Sequence, residues 1–184
     1  MDDILIRQET KDDYKHVHKV VEAAFKDEEL SDHKEHILVD KLRSSESFIP
    51  ELSLVATEKN DQIVGHILLT RIKIIDNSNN SKTSHDSSLA LAPVSVHPDY
   101  QGRGIGSKLI ISAHTTAKEL GYSSIILLGH EKYYPRFGYK ILQSCGIKLP
   151  FDVPPQNCMA VELVDHALDS VQGLVEYDEA FSTI

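Results

Sequence analysis

The spacing of apolar residues divides the first third of the chain into a strand and two helices. The run ILIR at residues 4–7 predicts a strand, and Thr10 and Asp13 after it have the spacing of a helix capping box. Apolar residues with helical spacing follow at Tyr14, Val17, Val21, Ala24 and Phe25. A second helix is predicted to begin at Ser31 or Asp32. Its apolar face contains Ile37, Leu38 and Leu42.

A β-hairpin and a polar segment occupy the next part of the chain. The runs SLVATE and IVGHILLTRIKII flank the turn KNDQ, which predicts two antiparallel strands within residues 53–75. Residues 76–88, DNSNNSKTSHDSS, are rich in Ser and Asn and almost free of apolar side chains. This composition predicts a mobile hairpin loop, and a role as a binding lid stays open as the alternative.

The stretch SLALAPVSV at residues 88–96 has the continuous apolar character of a buried strand. Pro93 lies within it, and because proline has no N–H for a sheet ladder, we expect a bulge near residues 92–94 that leaves backbone groups free. A helix is predicted from about Gly104, and Gly121 is placed to end it. The apolar side of this helix contains Ile105, Leu109, Ala113, Ala117 and Leu120.

The C-terminal part continues with strand patterns and one short helical or turn element at residues 131–138. Further strands are predicted at residues 123–129, 139–149 and 158–164. The order β-α-α-β-β-β-α-β-α-β-β predicts an α/β or α+β fold with one mixed sheet. Because a helix connects strands 88–97 and 123–129, we expect these two strands to be parallel neighbours. Neither a repeat nor a linker interrupts the order, which indicates a single domain over residues 1–184.

Composition and charge narrow the class of protein. Of the 184 residues, 41% are hydrophobic and 26% are charged, which suffices to bury a core without disulfides. The formal net charge of −9 argues against a nucleic-acid partner and weakly fits a cationic or amine substrate. Cys145 and Cys158 do not have metal-ligand spacing, and we recognise neither a signal peptide nor a membrane span. We therefore expect a cytoplasmic protein without membrane association.

A glycine-rich segment, HPDYQGRGIGSKL at residues 97–109, lies between the buried strand and the long helix. Glycines let backbone N–H groups approach a ligand closely, and a helix N-terminus attracts negative charge, so the segment predicts a phosphate site. A Rossmann fingerprint that starts at Gly102 would need its third glycine at Ser107, and one that starts at Gly104 would need it at Leu109. A Walker A loop would need a Gly-Lys pair, which the chain lacks.

The glycine-rich arrangement resembles the Gcn5-related N-acetyltransferase (GNAT) superfamily, whose signature Q/R-x-x-G-x-G/A lies between the fourth strand and the following helix. Gln101, Gly104 and Gly106 match this signature. The stretches LAPVSVHPDYQGRGIGSKLI, ELGY and LLGHEKYYPRFGYK look like the YhbS-like bacterial branch, as do KLPFDVPPQNCMAVEL and the tail GLVEYDEAF. The resemblance implies a mixed, mostly antiparallel sheet flanked by helices, in which strands 88–97 and 123–129 splay apart at the coenzyme end.

The resemblance also implies acetyl-CoA as cosubstrate, held through its coenzyme A part and without a metal. Backbone N–H groups from Gly102 to Ser107 would converge on the pyrophosphate, and Val94 and Val96 would offer backbone groups to the pantetheine arm. Arg103 would be a nearby cation, or else a solvated surface charge. The expected cofactor-binding residues are Val94, Ser95, Val96, Gln101, Gly102, Arg103, Gly104, Ile105, Gly106 and Ser107.

The implied reaction is direct attack of an amine on the thioester carbonyl, after which the leaving thiolate must be protonated. The family's acid is a tyrosine four residues before the glycine that opens the next strand, which corresponds to Tyr134 before Gly138. A purely packed aromatic ring is the alternative for Tyr134. The general base stays open, because the strand before the glycines has no acidic residue. Its candidates are Glu28, Glu29, Glu58 and His66.

Three hypotheses on function follow. The first is an N-acetyltransferase for a small-molecule or protein amine, the second a catalytically idle acyl-CoA sensor on the same fold, and the third a Rossmann-type nucleotide-binding protein. Glycine spacing counts against the third, and Tyr134 in register favours the first. His33 and His36 lack a third ligand at suitable spacing, so we expect no metal site. The acceptor is not identified, and both a monomer and a homodimer fit the sequence.

Overall fold

Strands and helices alternate along the chain. In the computed structural model, residues 4–29, 31–78 and 82–182 are described. The α-helices among them are α1 (Tyr14–Phe25), α2 (Glu35–Leu42) and α3 (Ile105–Glu119). The strands are β1 (Leu5–Gln8), β2 (Phe48–Thr57), β3 (Ile63–Asp76), β4 (Thr83–Val96), β5 (Ser124–Leu128), β6 (Lys140–Ile141), β7 (Ile147–Lys148), β8 (Cys158–Glu162) and β9 (Gly173–Glu176). Most strand pairings are antiparallel, whereas β4 with β5 and β7 with β9 are parallel, so the predicted mixed and mostly antiparallel sheet is confirmed.

The fold comprises two compact units. The first contains Met1–Thr70, Ala92–Thr116 and Glu179–Ile184, and the second contains Arg71–Leu91 and Ala117–Asp178. The boundaries fall within β3, β4 and α3, so each of these elements contributes residues to both units. The expectation of a single domain is not tested by this division and stays a prediction.

In the first unit, α1 and α2 pack on the antiparallel strands β2 and β3. The helical spacing of apolar residues brings Val17 and Val21 of α1 together with Leu42 of α2, and all three are 0% exposed. Val55 of β2 and Leu68 of β3 complete the centre of this core. The whole cluster of buried residues is Val17, Val20, Val21, Leu38, Val39, Leu42, Val55, Ile63, Leu68 and Ala180.

The predicted start of the second helix at Ser31 or Asp32 is wrong, because α2 begins at Glu35. The hydroxyl of Ser31 accepts a hydrogen bond from the N–H of His33 at 2.8 Å, and the Asp32 carboxylate accepts one from the N–H of Lys34 at 3.0 Å. His33 has a φ of 62°, a left-handed conformation that does not continue a helix. Ser31 and Asp32 therefore close turns here instead of capping a helix.

The predicted apolar faces of two helices are each wrong at one residue. Ile37 of α2 is 39% exposed, and Val39 lies in the core in its place. Leu120, which follows α3, is 44% exposed, because the helix ends one residue before it. The predicted helix terminator is confirmed, since Gly121 has a φ of 88°.

In the second unit, β5 pairs with β4 on one side and with β8 on the other. The parallel ladder between β4 and β5 comprises three residue pairs, from Ser88–Ser124 to Ala90–Ile126, although β4 extends to Val96. Pairing of only this part of β4 agrees with the splay of strands 88–97 and 123–129 that the family resemblance implies. The buried cluster of this unit is Ile72, Ile74, Ala90, Ile126, Leu142, Ile147, Cys158, Ala160, Leu168 and Val175.

The mobile loop predicted over residues 76–88 is wrong at its C-terminal end, because β4 begins at Thr83. Within the ladder, the hydroxyl oxygens of Ser88 and Ser124 lie 2.7 Å apart and hydrogen-bond to each other. Polar side chains can therefore occupy strand positions here, because side chains of the partner strand form hydrogen bonds with them. Residues 79–81 of the predicted loop lie outside the described residues.

The single strand predicted at residues 139–149 is also wrong. Two short strands, β6 and β7, replace it, and they pair with different partners, β8 and β9. A 3₁₀ turn at Leu142–Cys145 and a left-handed Gly146, with a φ of 73°, separate them. The turn redirects the chain within a stretch whose apolar pattern resembles one strand.

Candidate functional site

Strand β4 leads into the glycine-rich segment. The peptide bond before Pro93 is cis, and the predicted bulge around it stays a prediction. Ser95 is buried, whereas Val94 and Val96 are half-buried, as expected for side chains that alternate along a strand. The side-chain amide of Gln101 donates a hydrogen bond to the Val96 carbonyl at 3.2 Å. One backbone group expected to face a ligand therefore already has a partner within the protein.

Tyr100 holds the turn that precedes the glycines. Its hydroxyl donates a hydrogen bond to the Glu58 carboxylate at 3.1 Å, and this bond raises the pKa of Tyr100 above its ordinary value. The Arg103 guanidinium lies over the same ring, 4.9 Å from its centroid. His97 accepts a hydrogen bond from the N–H of Asp99 at 3.4 Å, which is local turn bonding. Glu58 follows β2, so the turn is tied to the β2–β3 hairpin.

The glycines shape an open N-terminus for α3. Gly102 and Gly104 have φ values of 76° and 77°, which residues with a side chain rarely adopt. A Cβ on either glycine would meet no atom within 4 Å, so the space beside the loop is open. The N–H of Lys108 donates to the Gly104 carbonyl at 3.1 Å, which begins the helical ladder. The N–H groups of Ile105, Gly106 and Ser107 precede the ladder's first donor and lack intrahelical acceptors, so this end can hold an anion.

Tyr134 lies in the second unit, at the start of a short 3₁₀ turn after β5. The residue is 8% exposed, and its ring packs edge-on against Tyr133 and Tyr139, with centroids 5.1 Å and 5.6 Å away. Burial, and secondarily the charge of Tyr133, raises the pKa of Tyr134 well above its ordinary value. Its hydroxyl is therefore protonated at neutral pH. Within the described ranges this hydroxyl forms no hydrogen bond.

Tyr133 differs from its neighbour in its surroundings. The Arg136 guanidinium lies over the Tyr133 ring at 4.1 Å from the centroid, and its Nε donates to the Tyr133 carbonyl at 2.8 Å. Tyr133 is half-buried, whereas Tyr134 is buried. The two adjacent tyrosines thus lie in different surroundings, so replacing each of them in turn can distinguish their roles.

A buried polar cluster surrounds His66 on β3. Arg43 pairs with Glu9 at 2.5 Å, and these side chains are only 4% and 1% exposed. The Ser53 hydroxyl donates to Glu9 at 2.6 Å and lies 3.1 Å from Nε2 of His66, so Nε2 is the donor to Ser53. Nδ1 of His66 then carries a lone pair that no described residue hydrogen-bonds. Burial, and secondarily the charge of Arg43, lowers the pKa of His66 to about 3.

The four candidates for the general base have different environments. His66 is 0% exposed and has a low pKa, so it is poorly suited to accept a proton at neutral pH. Glu58 accepts the hydrogen bond of Tyr100. Glu28 is half-buried and Glu29 is exposed, both in the segment after α1. The structure thus argues against His66 and does not select one of the glutamates.

Sequence reasoning missed the partners of these candidates. Glu9 lies 34 positions from Arg43 and 44 positions from Ser53, and no local pattern links residues at such separations. The bond between Glu58 and Tyr100 also spans 42 positions. Only the tertiary fold brings these groups together.

The chain belongs to the GNAT family of acetyltransferases. A family model described as acetyltransferase (GNAT) domain matches residues 5–142. Among curated proteins, YjhQ of Escherichia coli, described as an uncharacterized N-acetyltransferase, is 37% identical over 127 residues, which are 67% of this chain and 66% of YjhQ. The matched segment thus spans just under two thirds of that relative.

Solved structures agree with this family over nearly the whole chain. The structure of Escherichia coli YhbS in complex with CoA has a TM-score of 0.86 and 25% identity, covering 99% of this chain and 93% of that one. A GNAT family acetyltransferase of Brucella melitensis in complex with acetyl-CoA has a TM-score of 0.76 and 31% identity, covering 98% and 99%. The family predicted from Gln101, Gly104 and Gly106 is confirmed.

Three further observations bear on the class of protein. Across residues 4–29, 31–78 and 82–182, no helix has the length and apolar character needed to cross a membrane. The same residues contain no group of three or more His, Cys, Asp or Glu side chains that could hold a metal ion. Both cysteines, Cys145 and Cys158, are free thiols.

Proposed function

We propose that the protein transfers an acetyl group from acetyl-CoA to a primary amine of a small molecule or protein. The observation that carries the proposal is the open, glycine-shaped N-terminus of α3, where backbone N–H groups have no intrahelical acceptor. The CoA in the YhbS structure and the acetyl-CoA in the Brucella melitensis structure support this choice of ligand.

In this proposal, backbone N–H groups from Gly102 to Ser107 bind the pyrophosphate. Arg103 lies over the Tyr100 ring next to this loop, and its guanidinium is proposed to contact a phosphate oxygen. Val94, Ser95 and Val96 line the path of the pantetheine arm, and Gln101 orders the carbonyl of Val96. All of these cofactor-binding roles are proposals.

The amine nitrogen attacks the thioester carbonyl, the new C–N bond forms, and the C–S bond breaks. The ammonium proton leaves to a base or to water, and the departing thiolate receives a proton from Tyr134. Two features support Tyr134 in this role: its hydroxyl forms no hydrogen bond within the described part of the chain, and its ring is fixed between Tyr133 and Tyr139. Its raised pKa keeps the proton on the oxygen at neutral pH but opposes transfer of that proton to the thiolate. Atoms and charge balance without a metal or a redox partner.

The test of the proposed activity is release of free coenzyme A thiol from acetyl-CoA in the presence of a broad panel of amines. We expect turnover with at least one class of primary amine, and the net charge of −9 favours cationic acceptors. Inclusion of peptides with free amino groups separates protein acceptors from small ones. A protein that binds acetyl-CoA tightly but turns over no amine would support the acyl-CoA sensor instead.

Replacement of Tyr134 by phenylalanine tests the acid directly. Tyr134→Phe keeps the packed ring and removes only the donor, so kcat should fall by roughly 10²- to 10⁴-fold while acetyl-CoA affinity is retained. The measurement is thiol release together with acetyl-CoA binding of the same variant. Tyr133→Phe is the matched control, and a loss of kcat in Tyr133→Phe but not in Tyr134→Phe would show that Tyr133, and not Tyr134, is the acid.

We also propose a cytoplasmic location, because Cys145 and Cys158 are free thiols, as is usual in a reducing compartment. Cell fractionation should recover the protein with cytoplasmic marker enzymes, and recovery among secreted proteins would contradict the proposal. The proposed assembly is a monomer or a homodimer, and sedimentation equilibrium would reveal any larger species.

A further inference from the structure

Gly129 lies directly after β5 and against the ring of Tyr134. A Cβ at this position would stand 2.3 Å from Cε2 of Tyr134, 3.0 Å from its Cδ2 and 3.2 Å from Cδ1 of Leu127. Side chains do not approach so closely, so either the ring or the backbone would have to move. Gly129 is not among the residues with a positive φ, so other residue types could adopt its backbone conformation. The tyrosine ring, and not the backbone conformation, therefore requires a glycine here.

Asn157 holds the backbone of Gly129 on both sides of the residue. The N–H of Gly129 donates to the Asn157 carbonyl at 2.9 Å, and the side-chain Nδ2 of Asn157 donates to the Gly129 carbonyl at 2.9 Å. These two bonds extend the antiparallel pairing of β5 and β8 beyond its last pair, Leu128–Cys158. Gly129 cannot retreat from the ring without breaking them.

Two neighbouring aromatic rings also contact the Tyr134 ring. Tyr133 and Tyr139 contact it edge-on, at interplanar angles of 85° and 72°. Gly129 therefore sets how deep the ring can lie, and the depth of the ring sets the position of its hydroxyl oxygen. A hydroxyl that forms no hydrogen bond to the described residues is held in place by such packing of its ring.

We infer that Gly129 and Asn157 are positioning residues for Tyr134, which fix the place from which its hydroxyl donates a proton. The inference rests on the proposed function, in which Tyr134 is the general acid. Misplacement of a reacting group by about 1 Å can cost on the order of 10²-fold in rate. Gly129 and Asn157 themselves need not touch either substrate.

The test measures kcat, the KM for acetyl-CoA and the melting temperature of Gly129→Ala in two backgrounds, the native chain and Tyr134→Phe. Phenylalanine retains the ring carbon that the new methyl group meets, so the melting temperature should fall equally in both backgrounds. In the native background kcat should fall roughly 10- to 100-fold, with KM changed less than about threefold. In the Tyr134→Phe background, where no donor remains to be misplaced, kcat should change less than about twofold.

The outcomes separate the inference from the proposed function. If Tyr134→Phe alone has the kcat of the native chain, the acid role fails and the inference fails with it. If Tyr134→Phe lowers kcat while Gly129→Ala has no effect, or the same effect in both backgrounds, only the inference is overturned. Asn157→Ala provides a second variant, in case Gly129→Ala does not fold. It keeps the backbone bond, removes the side-chain bond, and should give the same pattern with a smaller loss, roughly 3- to 10-fold.

Discussion

The His66 imidazole is neutral in the folded protein because water does not reach it and Arg43 lies nearby. Its Nε2 is hydrogen-bonded to Ser53, and a proton on Nδ1 would have no described acceptor. The Glu9 carboxylate is 3.8 Å from Nε2, but it already pairs with Arg43 and accepts from Ser53. Protonation of His66 would therefore place a second cation inside the cluster.

This environment makes stability depend on pH. The pKa of His66 falls from an ordinary 6.5 to about 3 on folding, so between these values the unfolded chain binds more protons than the folded one. The free energy of unfolding should therefore fall as pH decreases below 6.5, by up to about 1.4 kcal/mol per pH unit, and no such loss occurs above 6.5. Chemical denaturation at a series of pH values, from about 6 to 4, measures this slope.

His66→Gln is the matched control, because its amide can keep the donor to Ser53 while removing the titrating group. The pH slope of this variant should be smaller than that of the native chain by about one proton. His114, whose pKa is lowered to about 4 by burial, contributes to both slopes and cancels in the comparison. Equal slopes in the two proteins would show that His66 is not the group responsible.

At the residue scale, local chemistry could be predicted from the sequence and long-range pairing could not. Gln101 and Gly104 belong to one short segment, so the sequence alone predicts a helix start with a phosphate site. The helix start is found at Ile105, and phosphate binding stays a prediction. The role of Gly129 is different, because a glycine after a strand has many possible reasons. Only the structure shows that Gly129 is required for space and not for its backbone conformation, because a Cβ there would stand 2.3 Å from Cε2 of Tyr134.

At the level of elements, α3 carries a left-handed glycine before its first turn and another after its last. Gly104 has a φ of 77° and Gly121 a φ of 88°, and a Cβ on either would meet no atom within 4 Å. A valine at either position therefore brings similar backbone strain, of about 1–3 kcal/mol, without a clash. The two positions differ in what lies beside them, since only Gly104 belongs to the proposed pyrophosphate site.

We expect Gly104→Val to abolish acetyl-CoA binding while the protein remains folded, because the new side chain fills the space through which the pyrophosphate reaches the backbone. Gly121→Val should lose comparable thermal stability and bind acetyl-CoA normally. Isothermal titration and thermal unfolding of both variants measure the two effects. Unchanged affinity in Gly104→Val would place the coenzyme elsewhere on the protein.

Helices and strands could be predicted where the spacing of apolar residues fits only one type of secondary structure. The helix predicted from about Gly104 begins at Ile105, and the predicted hairpin is present, although β2 begins at Phe48, five residues before the predicted run. The start of α2 cannot be predicted in the same way, because Ser31 and Asp32 can close turns as well as cap a helix. The interruption of the strand pattern at residues 139–149 cannot be predicted either, because an apolar run does not reveal the turn at Gly146.

At the scale of the whole molecule, binding and stability are linked. A ligand that binds only the folded protein stabilises it by about 2.7 kcal/mol at 100 times its Kd. For a chain of 184 residues this corresponds to a rise in melting temperature of about 5–11 °C. We expect such a rise with acetyl-CoA and none with NAD or ATP, because the glycine spacing fits neither a Rossmann nor a Walker A loop. Equal shifts with all three ligands would remove the basis for regarding the loop as specific.

The buried pair of Glu9 and Arg43 limits how the sequence can change in evolution. Loss of Arg43 leaves the buried Glu9 carboxylate without its cation, which typically costs about 3–5 kcal/mol, whereas loss of Glu9 leaves Arg43 with only its ion pair to Asp40 at 2.6 Å. Replacement of both Glu9 and Arg43 by apolar residues of similar volume can be neutral. Few single substitutions at these positions can therefore persist in a population. An intermediate with one partner is viable only where other substitutions have already raised stability. The two positions should consequently covary in an alignment of relatives, as a charged pair or as an apolar pair, and mixed combinations should be rare.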